Sequence, residues 1–181
     1  MIRTSQVLQL GYSKTLLTNY VKAGLLERIS HGVYLLPDSV EDDLFSLTLR
    51  FQKIIFSHGT ALFLNGMSDR TPFQHYITIP SGSSLPASVK KECVCFYIKQ
   101  ELHELGVIER KTTLGNIVRC YNKERTICDL LRSRTRMDEE TVIHALKNYS
   151  TSTEKNIHLL STYAEELHVK KVLKNYMEVL L

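Results

Sequence analysis

Two glycines, a polar turn and a proline divide the first 37 residues into four pieces, and the order of those pieces leaves few folds open. Val7, Leu8 and Leu10 make a short apolar-periodic stretch behind Ser5, stopped by Gly11, a residue that takes positive φ without a Cβ clash. Ser13 is an N-cap type of residue, and Leu16, Leu17, Tyr20 and Val21 then recur at helical spacing as a buried stripe up to Gly24. Leu25 to Ile29 and Val33 to Leu36 are strand-like runs joined by Ser30-His31-Gly32 and closed by Pro37, which predicts a β-hairpin. Helix, turn, helix and hairpin in this order is the pattern of a winged helix-turn-helix.

The logic of such a module is physical. A helix with one side fixed on a small core can lay its other side in the major groove of DNA, while the hairpin reaches the neighbouring backbone. Burial of the apolar stripe leaves Ser13, Lys14, Thr15, Thr18, Asn19 and Lys22 facing outwards, and the hairpin offers Arg28, Ser30 and His31. Short donors and acceptors read base edges, and cations hold phosphates. Lysines and small polar residues also cover ordinary solvated helices. The hairpin favours the DNA reading, because its tip carries no acid. Residues 1 to 37 hold Arg3, Lys14, Lys22 and Arg28 against Glu27, a net +3 within a chain of net +4.

The whole chain has 181 residues, 43% apolar and 23% charged, enough to bury a core in one or two domains. No run of 18 apolar residues occurs, and the polar start has no signal-peptide pattern, so neither a membrane span nor export is expected. Four cysteines, all in the second half, are too few and too clustered for a disulfide framework and point to a reducing cytoplasm. Ser39 caps an expected connector helix with Glu41, Asp42 and Asp43 in its first turn and Leu44, Leu47, Phe51 and Ile54 or Ile55 as its buried stripe. Ser57 to Gly66 reads as a short helix, Tyr76 to Pro80 as a strand and Ser81 to Pro86 as a loop, with further strands at Cys93 to Ile98 and Ile117 to Tyr121. From Lys123 onward the chain reads as helical, in segments from Glu124 to about Arg134, Asp138 to Tyr149, Glu154 to Leu167 and Val169 to Leu181. The expected class is α+β: a winged helix-turn-helix over 1–50, then a mixed α/β domain with a helical tail over 51–181.

No catalytic constellation emerges. The glycine patterns of dinucleotide and phosphate-binding loops are absent, and Ser81-Gly82-Ser83-Ser84 lacks the lysine a phosphate cradle needs. Cys93 and Cys95 share a strand face but lack zinc-knuckle spacing and a nearby second histidine, so they read as free, buried thiols. Glu109-Arg110-Lys111 resembles the acid-x-lysine fragment of metal-dependent nucleases without the upstream acid, a chance match. His58, His144 and His158 fall in helical stretches as satisfied or surface imidazoles. The chain reads as a binder without cofactor or metal. Residues 105 to 136 carry eight cations against three acids, a local +5. Arg125 and Asp129, four apart on a helix, are expected to pair structurally. Arg110, Lys111, Arg119, Lys123, Arg132, Arg134 and Arg136 are expected to form a basic patch for a phosphate backbone or an acidic partner.

Four phrases in order carry a family resemblance: Ile29-Ser30-His31-Gly32-Val33-Tyr34-Leu35-Leu36-Pro37; Ser57-His58-Gly59-Thr60-Ala61-Leu62-Phe63-Leu64-Asn65-Gly66-Met67-Ser68-Asp69-Arg70-Thr71-Pro72; Ile77-Thr78-Ile79-Pro80; and the stretch from Tyr121 to Arg132. Together they resemble the AbiEi antitoxins of bacterial abortive-infection systems. The resemblance implies a type IV antitoxin that represses its own operon by binding inverted repeats through the winged helix. It also implies a neighbouring AbiEii-type, nucleotidyltransferase-like toxin with which no stable complex forms. The contact residues it implies fall on the face from Ser13 to Lys22 and on the hairpin tip. Gly59 departs from the pattern, which calls for a bulkier polar residue there. The competing reading is a winged-helix regulator with a ligand-sensing C-terminal domain and no antitoxin role.

Overall fold

A computed structural model describes residues 2–180. Among them are ten α-helices and two sheets, an α+β architecture, and the chain divides into two compact units, Met1–Gln52 and Lys53–Leu181.

The first unit holds β1 (Ile2–Arg3), α1 (Thr4–Gln9), α2 (Lys14–Lys22), β2 (Glu27–Ser30), β3 (Val33–Leu35) and α3 (Asp43–Arg50). Its sheet has the order β1-β3-β2, all antiparallel, with Ile2 opposite Tyr34 and Arg28 opposite the other side of the same tyrosine. The strand at Ile2–Arg3 is not legible in the sequence, because two residues carry no periodicity. It exists through its pairing with β3, and the Thr4 amide fastens it by donating to the Gly32 carbonyl at 2.8 Å. Leu17, Leu26 and Tyr34 form the small core, with Ile2, Val7 and Val21 packed against it.

Three expectations for this unit need correction. Tyr20 is 41% exposed, so the apolar stripe of α2 is narrower than its spacing suggests, with Leu17 alone fully buried. Ser39 caps no helix; the N-cap is Asp42, whose carboxylate accepts from the Phe45 amide at 3.1 Å. The helix also stops at Arg50, with Phe51 extended, so Ile54 and Ile55 do not continue its stripe.

The second unit is built from β4 (Ile55–Phe56), α4 (His58–Leu64), β5 (His75–Pro80), α5 (Ala87–Glu92), β6 (Cys93–Ile98), α6 (Gln100–His103), β7 (Val107–Lys111), β8 (Ile117–Tyr121), α7 (Lys123–Arg132), α8 (Glu139–Thr151), α9 (Ile157–Glu166) and α10 (Lys170–Leu180), with a 3₁₀ turn at Arg134–Arg136. Its five strands run in the order β6-β5-β4-β8-β7. β5 and β6 pair in parallel, as do β4 and β8, and the other two ladders are antiparallel. β4, α5, α6 and β7 were not anticipated. Two of them are too short to show a period, α5 buries only Val89, and β7 carries the charged Glu109-Arg110-Lys111 because it is an edge strand held by backbone pairing. The helix expected from Val169 to Leu181 ends on Leu181, which lies outside the described residues, as do the side chains of Val179 and Leu180.

Every residue of α7 from Glu124 to Leu131 is buried. Asn122 caps it by accepting from the Arg125 amide at 2.9 Å, and Ile127, Leu130 and Leu131 join Leu146, Tyr149, Leu160, Ala164 and Leu167 in the main core. Arg125 is fully buried as well. Its Nε donates to Asp129 Oδ2 at 3.0 Å, its Nη1 to the carbonyls of Leu102 and Leu105 at 2.9 and 2.7 Å, and its guanidinium lies 4.1 Å from the centre of the Tyr121 ring. The expected pairing with Asp129 is therefore present, in the interior.

Gly59 has a steric explanation. A Cβ there would stand 3.1 and 3.2 Å from ring carbons of Tyr76, so the aromatic ring occupies the space a bulkier residue needs. Arg125→Leu should lower the free energy of unfolding by about 3–5 kcal/mol, since it leaves the buried Asp129 carboxylate only the Arg132 guanidinium at 3.8 Å and takes the donor from two carbonyls. Urea unfolding of the full chain measures this, with the denaturant slope unchanged.

Candidate nucleic-acid interface

α2 starts and ends where its sequence directs. Ser13 has extended backbone at the N-cap but its side chain makes no capping bond, and the chain leaves the helix through Gly24 at φ +70°. At about 100° per residue, Lys14, Thr15, Thr18, Asn19 and Lys22 fall within an arc of roughly 140°. All five are exposed, as is Ser13, while Leu17 anchors the opposite side. Thr18 Oγ1 makes only a long contact of 3.5 Å, to the Lys14 carbonyl, and its side chain is exposed.

The hairpin brings Arg28 and His31 together. Arg28 Nη2 lies 3.2 Å from His31 Nδ1, and because a guanidinium only donates, the ring nitrogen accepts in this contact. Both residues are exposed. Gly32, at φ +74°, makes the turn between the strands. The side chain of Ser30, also expected at the tip, lies outside those described. Sequence reasoning missed two tyrosines: Tyr12 is 57% exposed just before α2, and Tyr20, assigned to the core, shows its ring on the same helix. Tyr20 stands at the flank of the apolar stripe, and that position was the available signal.

The seven cations expected to form one C-terminal patch are dispersed. Arg110 and Lys111 are exposed on the edge strand β7. Arg119, beside them on β8 and opposite Glu109, is paired with Glu104, and Lys123 at the start of α7 is paired with Glu154. Arg132 reaches back to Asp129 at 3.8 Å with only 28% of its side chain exposed. Arg134 donates to the Leu131 carbonyl at 3.0 Å, and Arg136 sits 4.4 Å over the Phe96 ring of β6. Strands β6 and β7 are the two opposite edges of the sheet, so a run that is contiguous in sequence reaches both ends of it.

Inside the second unit lies a polar centre that spacing did not reveal. His58 is fully buried with φ +46°; its Nδ1 is 2.9 Å from Ser57 Oγ and its Nε2 3.1 Å from Ser133 Oγ. Thr78 Oγ1 donates to Ser57 Oγ at 2.9 Å, and the His58 ring stacks on Phe96 with centroids 3.7 Å apart. Burial, reinforced by the charges of Arg132, Arg125 and Arg136, pulls the imidazole down to about 3 from its ordinary 6.5. Such a ring is neutral near pH 7, bonded at both nitrogens and shielded from water; the chemistry it supports is the joining of α4, β5 and the end of α7. His144, by contrast, is exposed and contacts Asn148. The four cysteines are free, and burial raises Cys120 and Cys128 to about 12, so both stay thiols. Among the described residues no helix is long and apolar enough to cross a membrane, and no group of three or more potential ligands is placed to hold a metal ion.

Residues 1–37, which carry α2 and the hairpin, match the sequence profile of a family described as "Transcriptional regulator, AbiEi antitoxin". The match supports a relation to that family and ends at Pro37. No curated protein matches the sequence. Among solved structures the fold is similar to that of the RV2827C protein from Mycobacterium tuberculosis, with a TM-score of 0.53 and 13% identity over 98% of this chain and 73% of that one. At that identity the likeness is one of fold.

His58 yields a pH prediction. Its folded-state pKa lies below the unfolded value, so the unfolded chain binds the extra proton between about pH 6.5 and 3, and stability falls as pH is lowered through that window. Each pH unit well inside it removes up to roughly 1.4 kcal/mol. His58→Gln should lose stability at neutral pH yet show a flatter decline toward about pH 4.5, read from urea midpoints.

Proposed function

We propose that residues 1–52 form a winged helix-turn-helix that binds operator DNA, and that the chain is an AbiEi-type antitoxin and autorepressor. The carrying observation is the coincidence of two features on the same residues. The exposed face of α2 and the hairpin tip present polar and cationic groups with no acid among them, and the family match covers that segment. In this reading Lys14, Thr15, Thr18 and Asn19 approach base edges in the major groove, Asn19 being suited to adenine through its paired donor and acceptor. Lys22, Arg28 and His31 hold phosphates, and Tyr12 and Tyr20 add hydroxyls at the rim. The uncapped first turn of α2 adds backbone amides that favour an anion.

One protomer reads one half-site, so two copies on an inverted repeat follow from geometry. The cognate partner is an AbiEii-type, nucleotidyltransferase-like toxin that is counteracted without a stable complex. The chain works without a cofactor and does no catalysis in this reading.

Fluorescence anisotropy with a labelled duplex from the chain's own promoter tests the DNA reading, and a scrambled duplex gives the baseline. Asn19→Ala should weaken promoter binding by about 1–3 kcal/mol and leave scrambled DNA unaffected. Arg28→Ala should weaken both and reduce the slope of log affinity against log salt by roughly one. Equal binding of promoter and scrambled duplexes by the unmodified protein would overturn the proposal. For the antitoxin role, co-expression with the adjacent toxin should restore growth while the two proteins elute separately.

A further inference from the structure

The helical part of the second unit carries a cleft that the DNA reading does not use. It lies between the end of α8, α9 and α10 and has a volume of about 500 Å³. Its floor is apolar: Ile157 and Leu160 from α9, Leu173 and Met177 from α10. Ile157 is 50% exposed and Met177 partly so, while Leu160 and Leu173 are buried beneath them, so the floor opens to solvent along Ile157 and Met177. The floor residues recur three and four apart on their helices, which makes the cleft the seam between two packed helices, aligned with their faces. A third helix fits such a seam by laying its own ridge of side chains in it.

The rim has one sign of charge. Among the described residues, Lys155, Lys170 and Lys174 line the cleft and no acid does. Their present contacts are weak. Lys170 pairs with Glu165 at 3.1 Å and Lys174 with Glu178 at 3.6 Å, with every side chain of these pairs at least 59% exposed, and such pairs contribute little. Lys155 donates to the Ser150 carbonyl. All three ammonium groups are therefore able to exchange partners at small cost. Nucleic acid would satisfy the lysines with phosphates but would leave the apolar floor uncovered.

We propose that this cleft receives an acidic amphipathic helix of a partner protein. Its apolar residues, at i, i+3 or i+4 and i+7, cover Ile157 and Met177 above the buried Leu160 and Leu173, while flanking Asp or Glu side chains meet Lys155, Lys170 and Lys174. From Lys170 to Met177 the seam runs about 10 Å, so two turns of the incoming helix make the contact. An interface of that size belongs to the weak, transient class. Met177, unbranched and adaptable, suits a floor that accepts different apolar residues.

The test uses the full chain and two fluorescein-labelled helical peptides of about four turns. One presents Leu at i, i+3, i+4 and i+7 with Glu elsewhere, and the other has Lys in place of every Glu. The acidic peptide should bind saturably and shift the Met177 methyl resonance, while the basic one should not bind. Lys170→Glu with Lys174→Glu should weaken the acidic peptide by at least about tenfold, and Ile157→Ser should weaken it too, with the far-UV spectrum unchanged in both. Four outcomes overturn the proposal. These are no saturable binding of the acidic peptide, equal binding of both peptides, and displacement of the Met177 shift by oleate in preference to the peptide, which marks a lipid site. The fourth is a dimer of the unmodified protein that the two Lys→Glu changes dissociate, which marks a contact between copies.

Discussion

Arg125 sets the frame of the second unit. A guanidinium removed from water costs several kcal/mol unless its donors find partners. Here Nε finds the carboxylate of Asp129 one helical turn on, Nη1 the carbonyls of Leu102 and Leu105 in the segment before β7, and the guanidinium plane the face of Tyr121 at the end of β8, while Nη2 makes no hydrogen bond among the described residues. One side chain thereby holds the central helix, the sheet and the approach to the edge hairpin in a single arrangement. The fit is tight enough that Gly106, at φ +78°, admits no side chain: a Cβ there would come within 2.8 Å of the Arg125 Cβ. Slippage of α7 by one residue would leave the charge without its partners, which makes the register of the helix against the sheet an electrostatic matter as much as an apolar one.

The same rule governs the remaining polar groups of that interior. Glu124 is buried and accepts from the Tyr149 hydroxyl at 3.0 Å and the Asn156 amide at 3.1 Å, tying α7 to the end of α8 and the start of α9. His58 links Ser57 and Ser133 as a neutral ring. Each of these groups faces inward. They specify the packing of the unit, while the groups available to partners are elsewhere: on α2 and the hairpin in the first unit, and around the α9–α10 seam in the second.

The exposed surfaces use two chemistries. The face of α2 offers polar groups and cations without an apolar floor, the composition that suits a hydrated polyanion. The α9–α10 cleft offers an apolar floor inside a ring of lysines, the composition that suits an amphipathic protein segment. A chain of net +4 thus distributes its positive charge over surfaces of different composition, and the whole-chain charge describes neither.

Local features were legible before the fold. Gly11, Gly24 and Gly32 mark the helix ends and the turn in their places, because a left-handed backbone is a local demand that a single residue answers. The outward face of α2 and the pairing of Arg125 with Asp129 follow from helical period, which acts over four residues. What lay beyond reach depended on partners distant in the chain. β4 is a strand of two residues because β5 and β8 bond it on either side; β7 is one in spite of its charges because β8 pairs with it. Tyr20 is exposed because the first unit's core is too small to cover it. The run of cations from Arg110 to Arg136 is continuous in sequence and split in space, since the strand order sends its two ends to opposite sheet edges. Backbone propensity and periodicity determine where elements begin, end and face, whereas which charges become neighbours is decided only when strand order and packing bring remote segments together.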